Sequence, residues 1–561
     1  MLCIALAPQI HAQVDVNDGA AEQPLGPRRS ELSTPDAPGP APQDVEIAPP
    51  APDSGQQTAT QFQLYVREFR FDGNTVISTA QLQAVAAPYQ GREITDVELQ
   101  ELRRQLTALY TQAGYVASAI VIPDQDIVDG VVTLRAVEGR LGKVELTGVR
   151  QYDPEFLREW ISRGIEAPIR APQLEEHLLT VLQDPAIAGL KPQLIVGDEG
   201  DSSVLRVDIK EARQFGARVG FANDRSPAVG GIRGEVELLA RNLLGRGDHT
   251  SVSLEGSQGL QVIDARTDVP LNVHGTRFQF RFADYDSRVV EEPNTPSIES
   301  EFRIVELGLQ QTLYRSLNRT INAGISVDGR DAETFLDGRP WSFSPGAERG
   351  RSNVRAARLR FSWLERRATD VISAQATLSV GVNILDATAH EGGRPDSEFH
   401  TGLLAAQWLH SFGGQFGQLY SRFQFQKSND ALLSLEKMAI GGLRSVRGYR
   451  RVRLLRDSGW DASMEYRLPL IRIPVPGLSA DGEGRLSAVA FVDAGRVWNE
   501  DDGEDSNNRT LIGAGPGLRW DVSRGLRAEF YWAAANRDLG FEKKDIQDRG
   551  IHFQLGYQTD F

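Results

Sequence analysis

Residues 372–384 read ISAQATLSVGVNI, and alternate positions of this stretch differ in character from one end to the other. One set of positions, which includes Ile372 and Leu378, is apolar throughout, whereas the other set, which includes Ser373 and Gln375, is polar or glycine. Alternation of this kind has the period of a β-strand, whose successive side chains point to opposite faces. The stretch is therefore predicted to be a strand with one apolar and one polar face.

The same period recurs from about residue 212 to the C-terminus, where helical periodicity is absent. In residues 460–468 the second face carries Asp461, Glu465 and Arg467, so we expect that face to contact water. A soluble β-sandwich also alternates, but its polar face looks outward. About 350 residues at about 22 per strand and connection give roughly 16 strands, enough to enclose an aqueous lumen. We predict a transmembrane antiparallel β-barrel over residues 212–561.

The C-terminal residues continue the alternation and end on an aromatic side chain. One face of this last predicted strand consists of Ile551, Phe553, Leu555, Tyr557, Thr559 and Phe561. An apolar row that ends in phenylalanine resembles the assembly signal of outer-membrane barrels. The resemblance implies that Tyr557 and Phe561 are recognised by the barrel-assembly machinery.

Two α+β repeats are predicted before the barrel. In residues 63–140, Tyr65–Phe71 is predicted to be a strand, Ser78 to cap one helix and Thr95 to open a second, before two further strands. The same order of strand, helix, helix, strand and strand repeats weakly in residues 141–211, where Asp153-Pro154 opens the first helix. A tandem repeat with this order resembles a pair of POTRA domains, the periplasmic modules of outer-membrane transporters.

The N-terminal residues have a different composition. Leu2–Ala7 followed by Ala12 is typical of the end of a secretory signal peptide, here truncated to residues 1–12 and cleaved after Ala12. A disordered N-terminus is the alternative. Residues 13–62 are rich in proline and alanine and cannot bury a core, which predicts an extended linker.

Composition excludes several classes of protein. No run of about 18 apolar residues occurs, which argues against a transmembrane helix. The net charge of −15 disfavours a nucleic-acid partner. The single cysteine, Cys3, and eight histidines without zinc-ligand spacing give no predicted disulfide, metal site or cofactor.

Candidate enzyme and cation sites have structural alternatives that fit better. Gly513–Gly517 superficially resembles a nucleotide-binding loop, but a strand pattern follows where a helix would be needed. The acidic run 500–505 lacks EF-hand spacing and is predicted to be a solvated loop. No catalytic constellation is evident, so we do not predict an enzyme.

The strongest local signal is the stretch 435–449, LEKMAIGGLRSVRGY. Its Val-Arg-Gly-Tyr core resembles the signature of a barrel superfamily that includes two-partner secretion transporters and barrel-assembly insertases. In that superfamily the motif lies at the tip of the sixth extracellular loop, which folds back into the lumen. The resemblance implies a loop near residues 437–458 that places Arg447, Gly448 and Tyr449 inside the pore.

A second motif, FVDAG at residues 491–495, matches the same superfamily. Alternation places Phe491, Asp493 and Gly495 on one face of their strand. If that face lines the lumen, Asp493 is within reach of Arg447, and a salt bridge would hold the loop in place. The alternative is an ordinary barrel loop with incidental Arg and Asp residues.

Residues 65–561 as a whole resemble the transporter half of two-partner secretion systems, the haemolysin-activator and filamentous-haemagglutinin transporter family. The resemblance implies a pore in the outer membrane of a Gram-negative bacterium, with POTRA domains in the periplasm. Its expected partners are one large, β-rich secreted exoprotein of the haemolysin or haemagglutinin type and the outer-membrane lipid. An assembly factor of the same superfamily is the alternative, although such factors usually carry more than two POTRA repeats.

Overall fold

The computed structural model describes residues 63–196, 202–292, 296–480, 482–500, 509–523, 525–537 and 545–561. The predicted signal peptide (1–12) and linker (13–62) lie outside these residues, as does most of the acidic run 500–505. No helix within the described ranges is long and apolar enough to cross a membrane.

The first α+β unit has both predicted helices. Its strands are Gln63–Val66, Glu68–Asp72, Arg92–Thr95, Ala119–Val121 and Val131–Val137, and its helices are Thr79–Ala86 and Asp96–Gln112. Ser78 and Thr95 cap the two helices through reciprocal capping boxes, as their sequence signatures predict. Leu102 and Leu106 of the longer helix are completely buried in the apolar core of the unit. Local capping signals and one apolar helix face thus specify this unit.

The predicted strand Tyr65–Phe71 is divided in two at Arg67, which corrects the prediction. Its first part pairs antiparallel with Arg92–Thr95, and its second part pairs parallel with Val131–Val137. Between them, the Arg67 N–H donates to the carbonyl of Gly130 at 2.8 Å. The chain passes from one sheet to another at this residue. Period-two alternation predicts a strand, but it does not indicate the strand with which each half pairs.

The second α+β unit repeats the sheet topology of the first. Its strands are Arg140–Thr147, Ile187–Val196 and Ser202–Glu211, and its helices are Pro154–Arg163 and Ala171–Val181. Ser202–Glu211 pairs parallel with Arg140–Thr147 and antiparallel with Ile187–Val196. In the first unit, Val131–Val137 likewise pairs parallel with Glu68–Asp72 and antiparallel with Ala119–Val121. The Asp153 side chain caps the first helix by accepting from the Glu155 N–H.

The rest of the described chain is a closed antiparallel barrel of 16 long strands, which confirms the predicted fold class. The strands are Phe215–Ala222, Arg233–Arg241, His249–Gly256, Leu260–Pro270, Thr276–Arg288, Ile298–Arg315, Arg319–Leu336, Arg351–Arg366, Asp370–Gly381, His400–Ser411, Gln418–Ser428, Ser458–Arg472, Arg485–Trp498, Arg509–Asp521, Leu526–Trp532 and Ile551–Asp560. The last strand pairs with the first and closes the barrel. Closure leaves no free sheet edge, so the backbone polar groups of the strands are satisfied within the sheet.

One end of the barrel contacts the second α+β unit. The Asp153 N–H donates to the carbonyl of Gly245 at 2.7 Å, and Arg163 donates to the carbonyl of Val273 at 3.0 Å. Gln183 donates to the carbonyl of Leu317 at 2.9 Å. The three acceptors lie in tight turns between barrel strands, and the loop that contains Arg447 is at the opposite end of the barrel. The resemblance to POTRA domains implies that these turns are periplasmic and that the loop is on the extracellular side.

Candidate functional site: the anchored lumen loop

The loop at residues 429–457 folds into the barrel. It contains a short antiparallel hairpin, Met438–Ile440 with Leu454–Arg456. Its apolar residues form two buried clusters. Leu432, Leu433 and Leu435 pack against inward-facing wall residues, and Ile440, Val446 and Tyr449 belong to the second cluster. The sequence motif 435–449 therefore lies inside the extracellular half of the barrel.

Arg447 at the loop tip is bound to Asp493 on the wall. Its Nε donates to one Asp493 oxygen at 2.7 Å, its Nη2 donates to the other at 2.7 Å, and its own backbone N–H donates to the first at 3.0 Å. Asp493 has no solvent exposure, and Arg447 is 2% exposed. A two-oxygen contact between guanidinium and carboxylate fixes orientation as well as distance, so the pair holds the loop tip in one position.

Further groups complete the Arg447 site. Glu465 accepts from Arg447 Nη1 at 2.6 Å, and the Ser463 hydroxyl accepts from Nη2 at 3.1 Å. The guanidinium also lies 3.6 Å from the ring centroid of Phe491 and 4.7 Å from that of Tyr531. Cations are attracted to aromatic faces most strongly where water is excluded. Arg447 is thus enclosed by anions, a hydroxyl and two rings.

The glycines of the two motifs allow the loop to approach the wall. Gly448 has φ +93° and donates its N–H to His552 Nε2 at 3.1 Å. A Cβ at Gly495 would lie 3.2 Å from a methyl group of Val446, which is tighter than ordinary packing. A side chain at Gly513 would collide with the carbonyl of Arg447. Residues 509–521 form a barrel strand as predicted, and Gly513 provides room for the loop.

Tyr449 holds the loop tip through its hydroxyl. It donates to the Asn536 side chain at 2.7 Å and accepts from the Arg537 N–H at 3.2 Å. Its ring lies in the apolar cluster with Val446 and Leu454. The three residues of the predicted lumen motif therefore contact three different parts of the wall.

The polar face of residues 460–468 differs from its prediction. We expected its charges to contact water, but Asp461, Glu465 and Arg467 are all buried. Glu465 pairs with Arg467 at 2.8 Å and with Arg447 of the loop, whereas Asp461 lies 3.9 Å from Arg422 on the neighbouring strand. Alternation correctly places these residues on the lumen face, but it does not report that another segment fills the lumen.

The residues predicted for barrel assembly lie on the outer surface at the barrel closure. Tyr557 and Phe561 are exposed, and the Phe561 ring stacks on Phe215 of the first strand with centroids 6.4 Å apart. Their role in assembly stays a prediction.

Sequence reasoning missed part of the Arg447 site. Glu465, Ser463 and His552 were not predicted to contact the motif, although all three lie on the inward face of their strands. The alternating pattern identifies that face, but the register between distant strands decides which of its residues meet the loop tip.

Comparison with protein families gives two matches. Residues 201–520, more than half of the chain, match the family described as haemolysin secretion/activation protein ShlB/FhaC/HecB. Residues 64–139 match the ShlB-type POTRA domain, which is the first α+β unit.

Curated relatives are transporters of the outer membrane or of haem and haemolysin. The chain is 22% identical over 484 residues to the outer membrane transporter CdiB of Dickeya dadantii, covering 81% of this chain and 80% of the relative. It is 23% identical over 416 residues to the heme/hemopexin transporter protein HuxB of Haemophilus influenzae, covering 70% of each. It is 23% identical over 479 residues to the hemolysin transporter protein ShlB of Serratia marcescens, covering 81% of this chain and 80% of that protein.

Solved structures share the fold. CdiB from Escherichia coli superposes with a TM-score of 0.64 at 18% identity, covering 92% of this chain and 94% of that one. BamA from Haemophilus ducreyi, in a structure lacking POTRA domains 1–3, gives a TM-score of 0.53 at 14% identity and covers 89% of this chain. The curated relatives favour the transporter interpretation over the assembly factor, and the chain belongs to the ShlB/FhaC/HecB family of two-partner secretion transporters in the outer membrane.

Proposed function

We propose that this pore exports one large, β-rich exoprotein of the haemolysin or haemagglutinin type, and that the chain has no enzymatic activity. The exoprotein reaches the periplasmic end unfolded and leaves at the extracellular end. The observation that carries the proposal is the Arg447 site, because a plain diffusion porin needs no loop fixed in its lumen by a buried ion pair.

The α+β units supply the periplasmic capture step in this proposal. Their sheets have open edges: Arg140–Thr147 and Ile187–Val196 are the outer strands of the second unit. An unfolded chain can add to such an edge through backbone hydrogen bonds, without a fixed sequence. The second unit contacts the periplasmic turns of the barrel, so a segment held there is already beside the pore.

Folding of the exoprotein outside the cell supplies the driving force. The sequence offers no credible nucleotide-binding loop, since the candidate at Gly513–Gly517 is part of a barrel strand. A segment that folds after emerging cannot re-enter, so each folding step makes transport more favourable. Outer-membrane lipid and the barrel-assembly machinery are the remaining partners, the latter acting through Tyr557 and Phe561.

The proposal is tested by expressing the chain in a Gram-negative host together with the exoprotein encoded next to its gene. We expect the exoprotein in the culture medium only when the chain is present. Export without the chain would contradict the proposal. A general fall in outer-membrane proteins when the chain is removed from its own host, with no effect on export, would instead favour the assembly factor.

A further inference from the structure

A second buried ion cluster holds the lumen loop, at its beginning and not at its tip. Glu436 precedes the loop hairpin and has no solvent exposure. Its carboxylate accepts from Arg358 Nη2 at 2.8 Å and Nη1 at 3.2 Å, and it pairs with Arg330 at 3.1 Å. Glu436 is the second residue of the sequence motif 435–449 that also contains Arg447. It is not among the residues that contact Arg447.

The cluster is balanced in charge and closed to solvent. Asp328 pairs with Arg358 at 2.5 Å and with Arg330 at 2.8 Å, so that two cations face two anions. The side chains of Arg358 and Glu436 have no exposure, that of Asp328 has 1% and that of Arg330 has 5%. Burial of four charges is costly unless each has its partners, and the loop supplies one of the four.

Backbone contacts of the loop strengthen the same attachment. Arg330 Nη1 donates to the carbonyl of Leu435 at 3.1 Å, and Gln426 Nε2 donates to the carbonyl of Glu436 at 2.8 Å. Arg358 is itself oriented by the Ser379 hydroxyl at 2.8 Å. Wall side chains therefore hold both the side chain and the main chain of this part of the loop.

The two anchors lie on different parts of the wall. Arg330 and Arg358 belong to the strands Arg319–Leu336 and Arg351–Arg366, whereas Asp493 and Glu465 belong to Arg485–Trp498 and Ser458–Arg472. Three barrel strands separate the two sites along the sheet. The loop therefore spans the lumen between two attachment points, and release of either one alone leaves it tethered at the other.

We propose that Glu436 is a positioning residue, a second anchor that must release before the lumen loop can leave its resting place. That this release is a step in the transport of an exoprotein rests on the proposed export function. The anchor itself does not, because the loop lies inside the barrel and we expect its movement to change the flow of ions whether or not an exoprotein is present.

The test uses the full-length chain in planar lipid bilayers without exoprotein. Glu436→Gln keeps the size of the side chain and removes its charge. The change removes one of the loop's two attachments and leaves two buried arginines that face Asp328 alone. We therefore expect pore openings at least about tenfold more frequent than in the wild type. The matched control is Glu398→Gln, which changes an exposed glutamate on the extracellular side.

A double variant distinguishes the loss of loop attachment from a loss of stability of the barrel wall. Glu436→Gln with Arg330→Gln restores charge balance, because Arg358 and Asp328 remain as a pair. We expect this double variant to recover thermal stability toward the wild type while its openings stay frequent, since the loop remains unanchored at this site.

Two results would overturn the proposal. One is a Glu436→Gln pore whose openings match those of the wild type and the control. The other is a double variant in which stability and openings both return to wild-type values, which would make Glu436 a support of the wall only. If Glu436→Gln does not fold, the double variant alone decides. Failure of the export assay with frequent openings in these variants would count against the proposed function and leave the anchor intact.

Discussion

In the first α+β unit the completely buried side chains include Leu102 and Leu106, whereas in the barrel they include Arg358 and Asp493. The outer face of the barrel carries the apolar side chains instead, such as Leu307, which is 44% exposed. The α+β unit is surrounded by water and therefore buries its apolar side chains. The barrel wall is surrounded by lipid and therefore exposes them. Exposure therefore has opposite meanings in the two regions, and inside the barrel paired charges hold the loop together with its apolar clusters.

The largest expected loss of stability in the α+β region comes from emptying its core. Leu106→Ala should lower the free energy of unfolding of the first unit by about 2–5 kcal/mol, because it removes buried methyl groups and leaves a cavity. Urea-dependent proteolysis of the periplasmic region in the full-length protein measures this. Val97→Ala, at an exposed position of the same helix, is the control, and equal effects of the two changes would show that burial of Leu106 is not what stabilises the unit.

The converse change tests the outer face of the barrel. Leu307→Arg should destabilise the folded barrel in a bilayer by about 2–4 kcal/mol, because it places a charge in lipid. Val97 is 64% exposed, more than Leu307, yet Val97→Arg should have little effect because that side chain faces water. Equilibrium folding into vesicles gives the first value, and proteolysis in urea the second. Tolerance of arginine at residue 307 would contradict the assignment of that face to lipid.

A smaller effect is expected from a single carboxylate of the first unit. Burial raises the pKa of Glu138, but hydrogen bonds from Thr75, Val76 and Tyr110 outweigh this, and the net pKa lies below its ordinary value. The ionised group therefore stabilises the unit at neutral pH, and this contribution is lost as the pH falls through the lowered folded pKa.

Glu138→Gln should accordingly make the first unit less stable at neutral pH, by less than Leu106→Ala, and should make its stability less sensitive to acid. Unfolding measured at neutral pH and at a pH below the ordinary glutamate pKa checks both points. A variant that keeps the full acid sensitivity of the wild type would show that other groups are responsible.

The smallest effect is expected at the barrel closure. Deletion of Phe561 removes its stack on Phe215, a contact of about 0.5–1.5 kcal/mol, and should lower the amount of folded barrel. The fraction of protein that migrates faster unboiled than boiled on a detergent gel measures this. Phe416→Ala is a control because Phe416 has the same 62% exposure. Normal barrel levels with lost secretion would argue against a role in assembly.

Local sequence signals predicted much of the fold. Ser78, Thr95 and Asp153 mark helix starts because capping depends on residues within one turn. Alternation predicted the barrel and the inward orientation of Asp493, because side-chain direction follows position along a strand. These signals fail at Arg67, where the strand changes its pairing partner and no turn or capping residue in the sequence indicates the change.

The candidate site was less predictable. The Arg447 motif and Asp493 were found through a resemblance, but Glu465 and His552 were not placed beside them, because barrel register is a property of the whole sheet. The buried state of Asp461 and Glu465 also depends on a loop that begins elsewhere in the chain. Contacts between distant segments therefore limit what alternation alone reveals.

We propose that charge pairing inside the barrel, and specifically the contact of Arg447 with Asp493, fixes the loop that export requires. Removing one partner of a buried pair leaves the other charge uncompensated, which costs about 3–5 kcal/mol. The strand ladder is untouched, so the variants Arg447→Ala and Asp493→Ala should still insert as heat-modifiable barrels. Arg339→Ala, at an exposed extracellular position, should behave as the wild type.

The most direct test measures exoprotein in the medium for Arg447→Ala, Asp493→Ala and the double variant. We expect each single change to abolish or strongly reduce export, and the double variant to be no worse than the worse single variant, because both remove the same contact. Wild-type export from Arg447→Ala, or losses that add in the double variant, would show that the contact of Arg447 with Asp493 does not fix the loop for export.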